Sequence, residues 1–264
     1  MHAGINEAAQ DLAARGRVHA VACQVGGPAW EAGAAELRQL RGVDLGLHLD
    51  LTAFPLTLPP QKLGAVLMAC FLGWFDSSAL RREVAAQLQR FEDAIGRPAD
   101  FVDGHQHIHQ LPRVRHALMA ELQRRRMHPW LRNTRRPPGI AGVKPWLIEQ
   151  LGEGALAKMA RQAGLGQNRA LLGVYDFADS ASRFAALLAG WLAVACGGDL
   201  LMCHPSCAIE VPQDVILDAR LAEFRVLGGP DFDALLQTHH VKLAPMSATL
   251  LHGRLSRAGL SSMR

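Results

Sequence analysis

Short apolar runs alternate along this chain with longer segments in which apolar residues recur every three or four positions. The runs are rich in Val, Leu and Ile and end at Gly, Pro or a polar residue, a pattern typical of strands. Seven strands are expected, at residues 18–25, 43–51, 99–102, 129–134, 170–174, 199–203 and 240–243. The spacing between them predicts helices, at residues 4–15, 30–41, 63–72, 77–95, 113–126, 181–194, 214–227 and 232–236, with shorter helical pieces up to residue 163.

The alternation of strand and helix is typical of parallel strands that are covered by helices. A chain of 264 residues suits a single (β/α) barrel of about 250 residues. We therefore expect an α/β fold, barrel-like and related to the TIM barrel, as one domain over residues 1–251. Residues 252–264 are basic and contain Gly and Ser, which predicts a poorly ordered tail.

Composition narrows the class of protein. Hydrophobic residues make up 49% of the chain and charged residues 20%, as in a globular protein with a sizeable core. The net charge is +4, but no basic stripe is interleaved with aromatic residues, so we expect no nucleic-acid partner. Five cysteines without a CxxC motif indicate a reducing compartment. No signal peptide is visible, and the longest apolar run, 65–75, is too short for a transmembrane segment, so we expect a cytoplasmic protein.

Histidines are concentrated directly after the third predicted strand. His105, His107 and His109 occupy alternate positions, and Asp103 stands two residues before the first of them. In an extended segment alternate residues share a face, so a continued strand would present all four side chains together. Imidazole is the commonest protein metal ligand, and the carboxyl ends of strands are where α/β folds keep their chemistry. A metal site is therefore expected here, with a solvated His-rich loop as the alternative.

Two further predicted strands carry a histidine at or near their ends. His48 follows Gly46, which is unusual inside a strand and suggests either a close approach of the backbone or a bend near a ligand. His204 is followed by Pro205 and could serve as a general acid or base. Each histidine alone is equally well explained as a structural residue. In a barrel, however, they would converge with the histidine cluster on one site.

Three other polar positions are weaker candidates. Asp50 could orient the imidazoles or bind substrate, although a turn-forming role is the simpler interpretation. Arg220 and Glu223 lie one turn apart on a predicted helix, where such pairs are usually surface ion pairs of little worth. Tyr175 closes another strand and is interpreted as a loop contact.

Four motifs in sequence order resemble those of the YdjC-like, or ChbG-type, carbohydrate deacetylases. Residues 5–29 are similar to the first helix and second strand of that family. Gly46-Leu47-His48-Leu49-Asp50-Leu51-Thr52 resembles its G-x-H-x-x-L-T motif. Asp103 to Pro112 resembles its D-[SG]-H-x-H-x-H-x-x-P motif, in a variant similar to the hopanoid-biosynthesis branch. Met202-Cys203-His204-Pro205 and Arg220-x-x-Glu223 resemble its late motifs.

The resemblance implies a barrel-like fold, a divalent metal, zinc or magnesium, and removal of an N-acetyl group from an amino sugar or glycolipid. His48 and His105 match the family's metal-binding histidines. His204 would protonate the leaving amine, and Arg220 would assist at the same site. Asp50, Asp103, His107 and His109 would lie around the metal or substrate.

The chain departs from the family pattern at its start. The family's Ala-Asp-Asp-Phe-Gly motif, which supplies a third metal ligand and the general base, belongs just before the first helix. Met1-His2-Ala3-Gly4 corresponds to the residues after it. We therefore expect the first strand, one ligand and the base to be missing, through a start codon placed too late or through degeneration. Asp103, His107 or His109 could replace the ligand, and open strand edges would make a homodimer possible.

Two other functions remain open from the sequence. One is a different barrel metal hydrolase, such as a phosphoesterase that uses the histidine pair. The other is a non-catalytic sugar- or metal-binding member of the same scaffold.

Overall fold

The structure is a computed structural model that describes residues 2–177, 180–208 and 210–252. Its strands are β1 Ala20–Cys23, β2 Asp44–Leu49, β3 Phe101–Gly104, β4 Trp130–Leu131, β5 Leu171–Leu172 and β6 Leu200–Leu201. Its helices are α1 Ala3–Ala14, α2 Trp30–Leu37, α3 Leu63–Phe71, α4 Ser77–Ile95, α5 Val114–Arg125, α6 Val143–Gln150, α7 Glu153–Gln162, α8 Ala181–Val194, α9 Leu217–Gly228 and α10 Asp231–Thr238. A 3-10 turn at His105–Gln110 follows β3.

The strands pair in parallel and in chain order. β1, β2, β3 and β4 form one sheet, and β5 pairs with β6 in a second. A single bridge between Leu131 and Gln167 links the end of β4 to the segment that leads into β5. The predicted α/β fold with a parallel sheet and covering helices is therefore confirmed. The ladders among the described residues do not show closure into a barrel.

The seventh predicted strand, at residues 240–243, is wrong. The chain leaves α10 through His240, whose φ is 53°, and none of these four residues joins a ladder. Val241 and Leu243 instead pack against an apolar cluster. The apolar positions there indicated burial rather than strand pairing. Apart from His252, the predicted tail at 252–264 lies outside the described residues.

Two apolar clusters hold the helices on the strands. The larger is centred on β2, β3 and the helices α2, α4 and α5. The second joins α8, α9 and α10 with Leu12 of α1 and with Leu172 and Tyr175. Within the described ranges, every helix is too short or too polar to cross a lipid bilayer.

Helix α4 shows how local chemistry sets the boundaries. The Asp76 side chain accepts a hydrogen bond from the N–H of Ser78, and Gly96 ends the helix with a φ of 81°. A carboxylate at the N-cap and glycine at the left-handed C-terminal position are favoured terminators. The long helix thereby brings its buried face against β2 and against the loop after it.

Gly46 in β2 allows an aromatic ring to lie directly on the strand. A Cβ added there would stand 2.4 Å from the ring of Phe101. Phe101 itself stacks on Trp130 with ring centroids 4.4 Å apart. The sequence suggested a close backbone approach or a bend near a ligand at this glycine, whereas the structure places the side chain of Phe101 there.

We expect Gly46→Ala to lower the free energy of unfolding by about 1–3 kcal/mol, because the Phe101 ring must move from its stacked position. Urea denaturation followed by Trp fluorescence measures the change. Gly64→Ala is the matched control, since a Cβ at that helical position meets nothing within 4 Å. Equal midpoints for the two variants would contradict the packing argument.

Candidate active site

The carboxyl ends of β2 and β3 bring a histidine beside a carboxylate. The parallel register places His48 opposite Asp103. Nδ1 of His48 lies 2.7 Å from Oδ1 of Asp103. This hydrogen bond fixes the orientation of the ring and leaves Nε2 as the nitrogen for a ligand.

Asp103 is buried between two positively charged or polar partners. Arg132, just after β4, donates from one terminal nitrogen to Oδ2 of Asp103 and from the other to the carbonyl of Gly104. Burial alone would raise the pKa of Asp103, but the Arg132 and His48 side chains outweigh it and hold this pKa below its usual range. Asp103 is therefore ionised at neutral pH and acts as a fixed acceptor behind His48.

The prediction that the three clustered histidines share one face with Asp103 is wrong. The strand ends at Gly104, and the following 3-10 turn contains Gln106 and His107 with φ of 50° and 62°. Such left-handed conformations are strained for residues other than glycine and recur at functional sites. The turn gives each of the three imidazoles different surroundings.

His105 is the histidine of the turn that reaches His48. The two ring centroids are 5.5 Å apart, at an interplanar angle of 70°. Burial first, then the neighbouring His48 and His204, lower the pKa of His105 to about 4 although Asp50 acts in the opposite direction. His105 is therefore neutral at physiological pH, and neutral imidazole is the form that binds metals.

His109 and His107 lie deeper beside Arg132. The ring of His109 is fully buried, and its Nε2 lies 2.9 Å from the carbonyl oxygen of Arg132. Burial and the Arg132 charge lower the pKa of His109 to about 3. Burial also lowers the pKa of His107, whose buried Nδ1 has no hydrogen-bond partner among the described residues. Their predicted roles near substrate remain predictions, while His109 fastens the turn to the end of β4.

An open cleft of about 490 Å³ lies beside the histidine pair. It is lined by residues 52–53 and 60–63 together with His105 and Gln106. Most of this lining comes from the Pro-rich loop between β2 and α3. The shape of that loop therefore determines what can approach His105.

Asp50 holds the first part of the loop. Its buried carboxylate accepts hydrogen bonds of 2.7 Å from the N–H groups of Thr52 and Phe54, and one of 2.5 Å from Gln24. These contacts occupy its oxygens with the loop backbone. The predicted role of Asp50 as an orienter of imidazoles or substrate is untested by them, and its direct partner in the structure is the loop.

Glu83 on α4 holds the second part of the loop. Its side chain is fully buried and accepts N–H donors from residues 56–58 at 2.6–3.0 Å. Gln87, one turn along, donates to Glu83 and to the carbonyl of Asp50, both at 2.6 Å. Two buried carboxylates and one amide therefore fix a loop that has no secondary structure of its own.

His204 follows β6 and is held through its main chain. Its N–H donates to Glu223, and its carbonyl accepts from Arg220 at 3.0 Å. Its ring packs edge-on against Phe177 at 5.4 Å between centroids. His204 is close enough to His105 to influence the pKa of that residue. The structure thus brings His48, His105 and His204 to one region of the molecule.

The interpretation of Arg220 and Glu223 as a surface ion pair is wrong, because both side chains are buried. Arg220 pairs with Asp214 at 2.6 Å, whereas Glu223 accepts a hydrogen bond from Tyr175. Their helical spacing places them on one face of α9, and that face is turned to the core. Tyr175, interpreted from the sequence as a loop contact, is part of this buried network.

Comparison with known proteins decides the family. The model of the YdjC-like protein family matches residues 1–238 of this chain. The chain belongs to the YdjC-like family. The resemblance carried by the sequence motifs is thereby confirmed.

Curated relatives of this YdjC-like chain are named as deacetylases. It is 34% identical over 122 residues to the carbohydrate deacetylase of Mus musculus, a match that covers 41% of this chain and 39% of that protein. It is 30% identical over 118 residues to the chitooligosaccharide deacetylase of Enterobacter sp. (strain 638), covering 42% and 47%. The matched part thus spans less than half the length of each relative.

A solved structure shares the fold of this YdjC-like chain. It is the crystal structure of a protein from Enterococcus faecalis V583 that is described as a putative cellobiose-phosphate cleavage protein. The match covers 94% of each chain, with a TM-score of 0.66 and 17% sequence identity. At this identity the likeness shows the fold alone.

The donor chemistry of the YdjC-like site suits a metal, but the number of donors is small. His48 and His105 are adjacent imidazoles, and a carboxylate engages the first. No group of three His, Cys, Asp or Glu side chains within the described ranges is arranged to hold one ion. Catalytic zinc sites usually have three protein ligands. Asp103, a predicted replacement ligand, already binds His48 and Arg132 through its two oxygens.

Sequence reasoning missed the residues behind the histidines. Arg132 lay inside a predicted strand, where a buried arginine has no distinctive pattern. Glu83 and Gln87 did carry a signal, because they occupy the same helical face as the buried Leu80 and Val84. Polar residues four positions apart on an apolar face indicate a buried partner, which here is the loop.

We expect Glu83→Ala to lower the free energy of unfolding by about 2–4 kcal/mol, because three main-chain N–H groups of the loop lose the buried carboxylate that accepts them. Chemical denaturation measures the loss. Glu36→Ala is the control, since Glu36 is exposed and its removal is expected to change stability by no more than about 0.5 kcal/mol. A Glu83→Ala protein as stable as the control would show that the loop is held by other contacts.

Proposed function

We propose that this YdjC-like protein is a hydrolase that removes the N-acetyl group from an amino sugar or from the sugar of a glycolipid. The observation that carries the proposal is the pairing of His48 and His105, with Asp103 behind the first and an open cleft beside the second. The names of the curated relatives, carbohydrate deacetylase and chitooligosaccharide deacetylase, support the same reaction class. We also propose that the parallel strands are arranged as in a (β/α) barrel.

Zinc or magnesium is proposed as the cofactor, with His48 and His105 as its ligands in the described part of the chain. A bound divalent cation polarises an acetyl carbonyl and lowers the pKa of a coordinated water. The buried Asp103 carboxylate holds His48 with Nε2 directed away from itself. The depressed pKa of His105 keeps that imidazole in its ligand form.

The remaining residues position the sugar and handle the leaving amine. His204 donates a proton to the amine nitrogen as the C–N bond breaks. Arg220 holds the carbonyl of His204, which fixes the main chain at that histidine. Asp50 and Glu83 hold the loop against which the sugar ring would lie.

A non-catalytic sugar-binding protein is the second candidate. The specific observation in its favour is that the described residues supply two imidazole donors and no third. It predicts binding of N-acetylated oligosaccharides without release of acetate. The turnover experiment below therefore separates it from the deacetylase.

We expect zinc to bind the purified protein after chelator treatment, and His48→Ala and His105→Ala each to weaken this binding. Asp103→Asn is expected to weaken zinc binding by about 10–100-fold, because it removes the acceptor that orients His48. Isothermal titration calorimetry measures the zinc affinity of the unchanged protein and of each variant. His128→Ala, at an exposed histidine away from the site, is the control. Unchanged affinity in both ligand variants would refute the assignment.

We expect the protein supplied with Zn²⁺ or Mg²⁺ to release acetate from N-acetylglucosamine oligosaccharides. His105→Ala is expected to lower the rate by at least about 10²-fold, because it removes a proposed metal ligand. An enzymatic acetate assay measures the rate, and His128→Ala again serves as the control. Oligosaccharide binding without acetate would favour the non-catalytic candidate, and release of phosphate from sugar phosphates would favour a phosphoesterase.

A further inference from the structure

A buried carboxylate of α9 stands directly behind His204. The side chain of Glu223 has no exposed surface. One of its oxygens accepts the N–H of His204, and the other accepts the hydroxyl of Tyr175. The same oxygen that Tyr175 contacts lies 3.8 Å from Nδ1 of His204. Glu223 therefore holds the main chain of this histidine and lies close to its ring.

The charge of Glu223 lacks a basic partner of the usual kind. Within the part of the chain that the structure describes, the one ion pair found for Glu223 is with His204. Arg220, one turn earlier, is engaged with Asp214 and with the carbonyl of His204. A buried carboxylate needs partners, and within the described residues His204 is the basic side chain that lies within ion-pair distance of Glu223.

The ring of His204 has a nitrogen that is available to Glu223. Its Nδ1 is buried and makes no hydrogen bond to any described residue. A small rotation of the ring would bring Nδ1 to Glu223 and leave Nε2 for the substrate. Phe177 packs edge-on against the ring, and Lys144 Nζ lies 4.8 Å from the centre of the Phe177 ring.

We propose that Glu223 is a positioning residue that makes His204 a proton donor, an inference that rests on the proposed deacetylation. The carboxylate fixes the backbone of His204 and faces Nδ1 of its ring. Hydrolysis joins the oxygen of a water molecule to the acetyl carbon, and that water loses a proton to the solvent. The Nε2 proton of His204 passes to the amine nitrogen as the C–N bond breaks and its electron pair moves to nitrogen, so that acetate and the amine are released. The imidazole regains a proton from the solvent before the next turnover.

The two carboxylates of the site would therefore serve two different histidines. Asp103 is held by Arg132 and orients a proposed metal ligand. Glu223 has Tyr175 in place of an arginine, so its charge remains directed to His204.

The test compares two substrates whose leaving groups differ in their need for a proton. An N-acetylglucosamine oligosaccharide releases an amine, which must be protonated, whereas p-nitrophenyl acetate releases a phenolate, which leaves without a proton. Glu223→Gln keeps the shape of the side chain and removes its charge. We expect this change to lower kcat for the amide by about 10–100-fold with KM within about twofold. The esterase rate of the site itself is the part of the p-nitrophenyl acetate hydrolysis that is lost in His105→Ala. We expect Glu223→Gln to change this rate by less than about threefold.

Three further measurements separate positioning from a purely structural role. Glu223→Asp retains the charge and is expected to recover part of the amide kcat. Glu36→Gln is the matched control at an exposed glutamate and should leave both activities unchanged. The melting temperature of each variant shows whether the fold is retained.

The possible results point to distinct conclusions. Loss on the amide alone, with recovery in Glu223→Asp, supports the proposal. Equal loss on both substrates, or no loss on the amide, overturns it. If the wild-type protein does not hydrolyse the ester, the two Glu223 variants decide the question. Equal losses of amide kcat in folded Glu223→Gln and Glu223→Asp then overturn the proposal. Absence of amide turnover in the wild-type protein counts against the proposed deacetylation itself, and the positioning role then fails with it.

Discussion

The buried ion pair between Asp103 and Arg132 is the contact on which the candidate site depends. It joins the end of β3 to the end of β4, and Arg132 also holds the carbonyl of Gly104 and the ring of His109. Removing one member of such a pair leaves a buried charge uncompensated, at a cost of about 3–5 kcal/mol. The position of His48 follows from it, because Asp103 can orient the imidazole only while Arg132 keeps the carboxylate ionised and in place.

Three other buried carboxylates lie around the site, and their partners are main-chain groups. Buried carboxylates at Asp50, Glu83 and Glu223 accept main-chain N–H groups from segments that lie outside the helices and strands. Backbone groups buried in a loop need partners that a ladder would otherwise supply. Each carboxylate therefore takes the place of a missing strand neighbour and holds a loop or a strand end where the chemistry is expected. These side chains supply hydrogen bonds to segments that the sheet does not reach.

The architecture was accessible from the sequence wherever one local rule dominated. Helix α4 was predicted to the residue at Ser77–Ile95, since an N-cap aspartate and a left-handed glycine mark its two ends. The parallel α/β order followed from the alternation of elements. The run at 240–243 failed because apolar residues can be buried without a ladder. Hydrophobic pattern reports burial, and it reports strand pairing only when a neighbouring strand exists.

The site was predictable as a set of residues but not as a geometry. The alternate spacing of the His cluster assumed that β3 continues, whereas two left-handed residues turn the chain at Gln106 and His107. Spacing along α9 gave the proximity of Arg220 and Glu223 but not their burial. Both failures concern long-range contacts, with Arg132 in one case and with Tyr175 and His204 in the other. The spacing of residues along one helix or strand does not predict such contacts, because each contact depends on which distant segment lies opposite.

The number of metal donors separates two interpretations of the family scaffold. Two imidazoles hold a cation less firmly than three protein ligands do. The surrounding structure nevertheless gives both imidazoles what ligands require, since His48 has an acceptor behind Nδ1 and His105 has a pKa of about 4. A site that had served only to bind sugar would have no need of a buried ion pair to aim one imidazole and of burial to keep the other neutral. That arrangement supports the proposed metal site, on which the proposed catalysis depends.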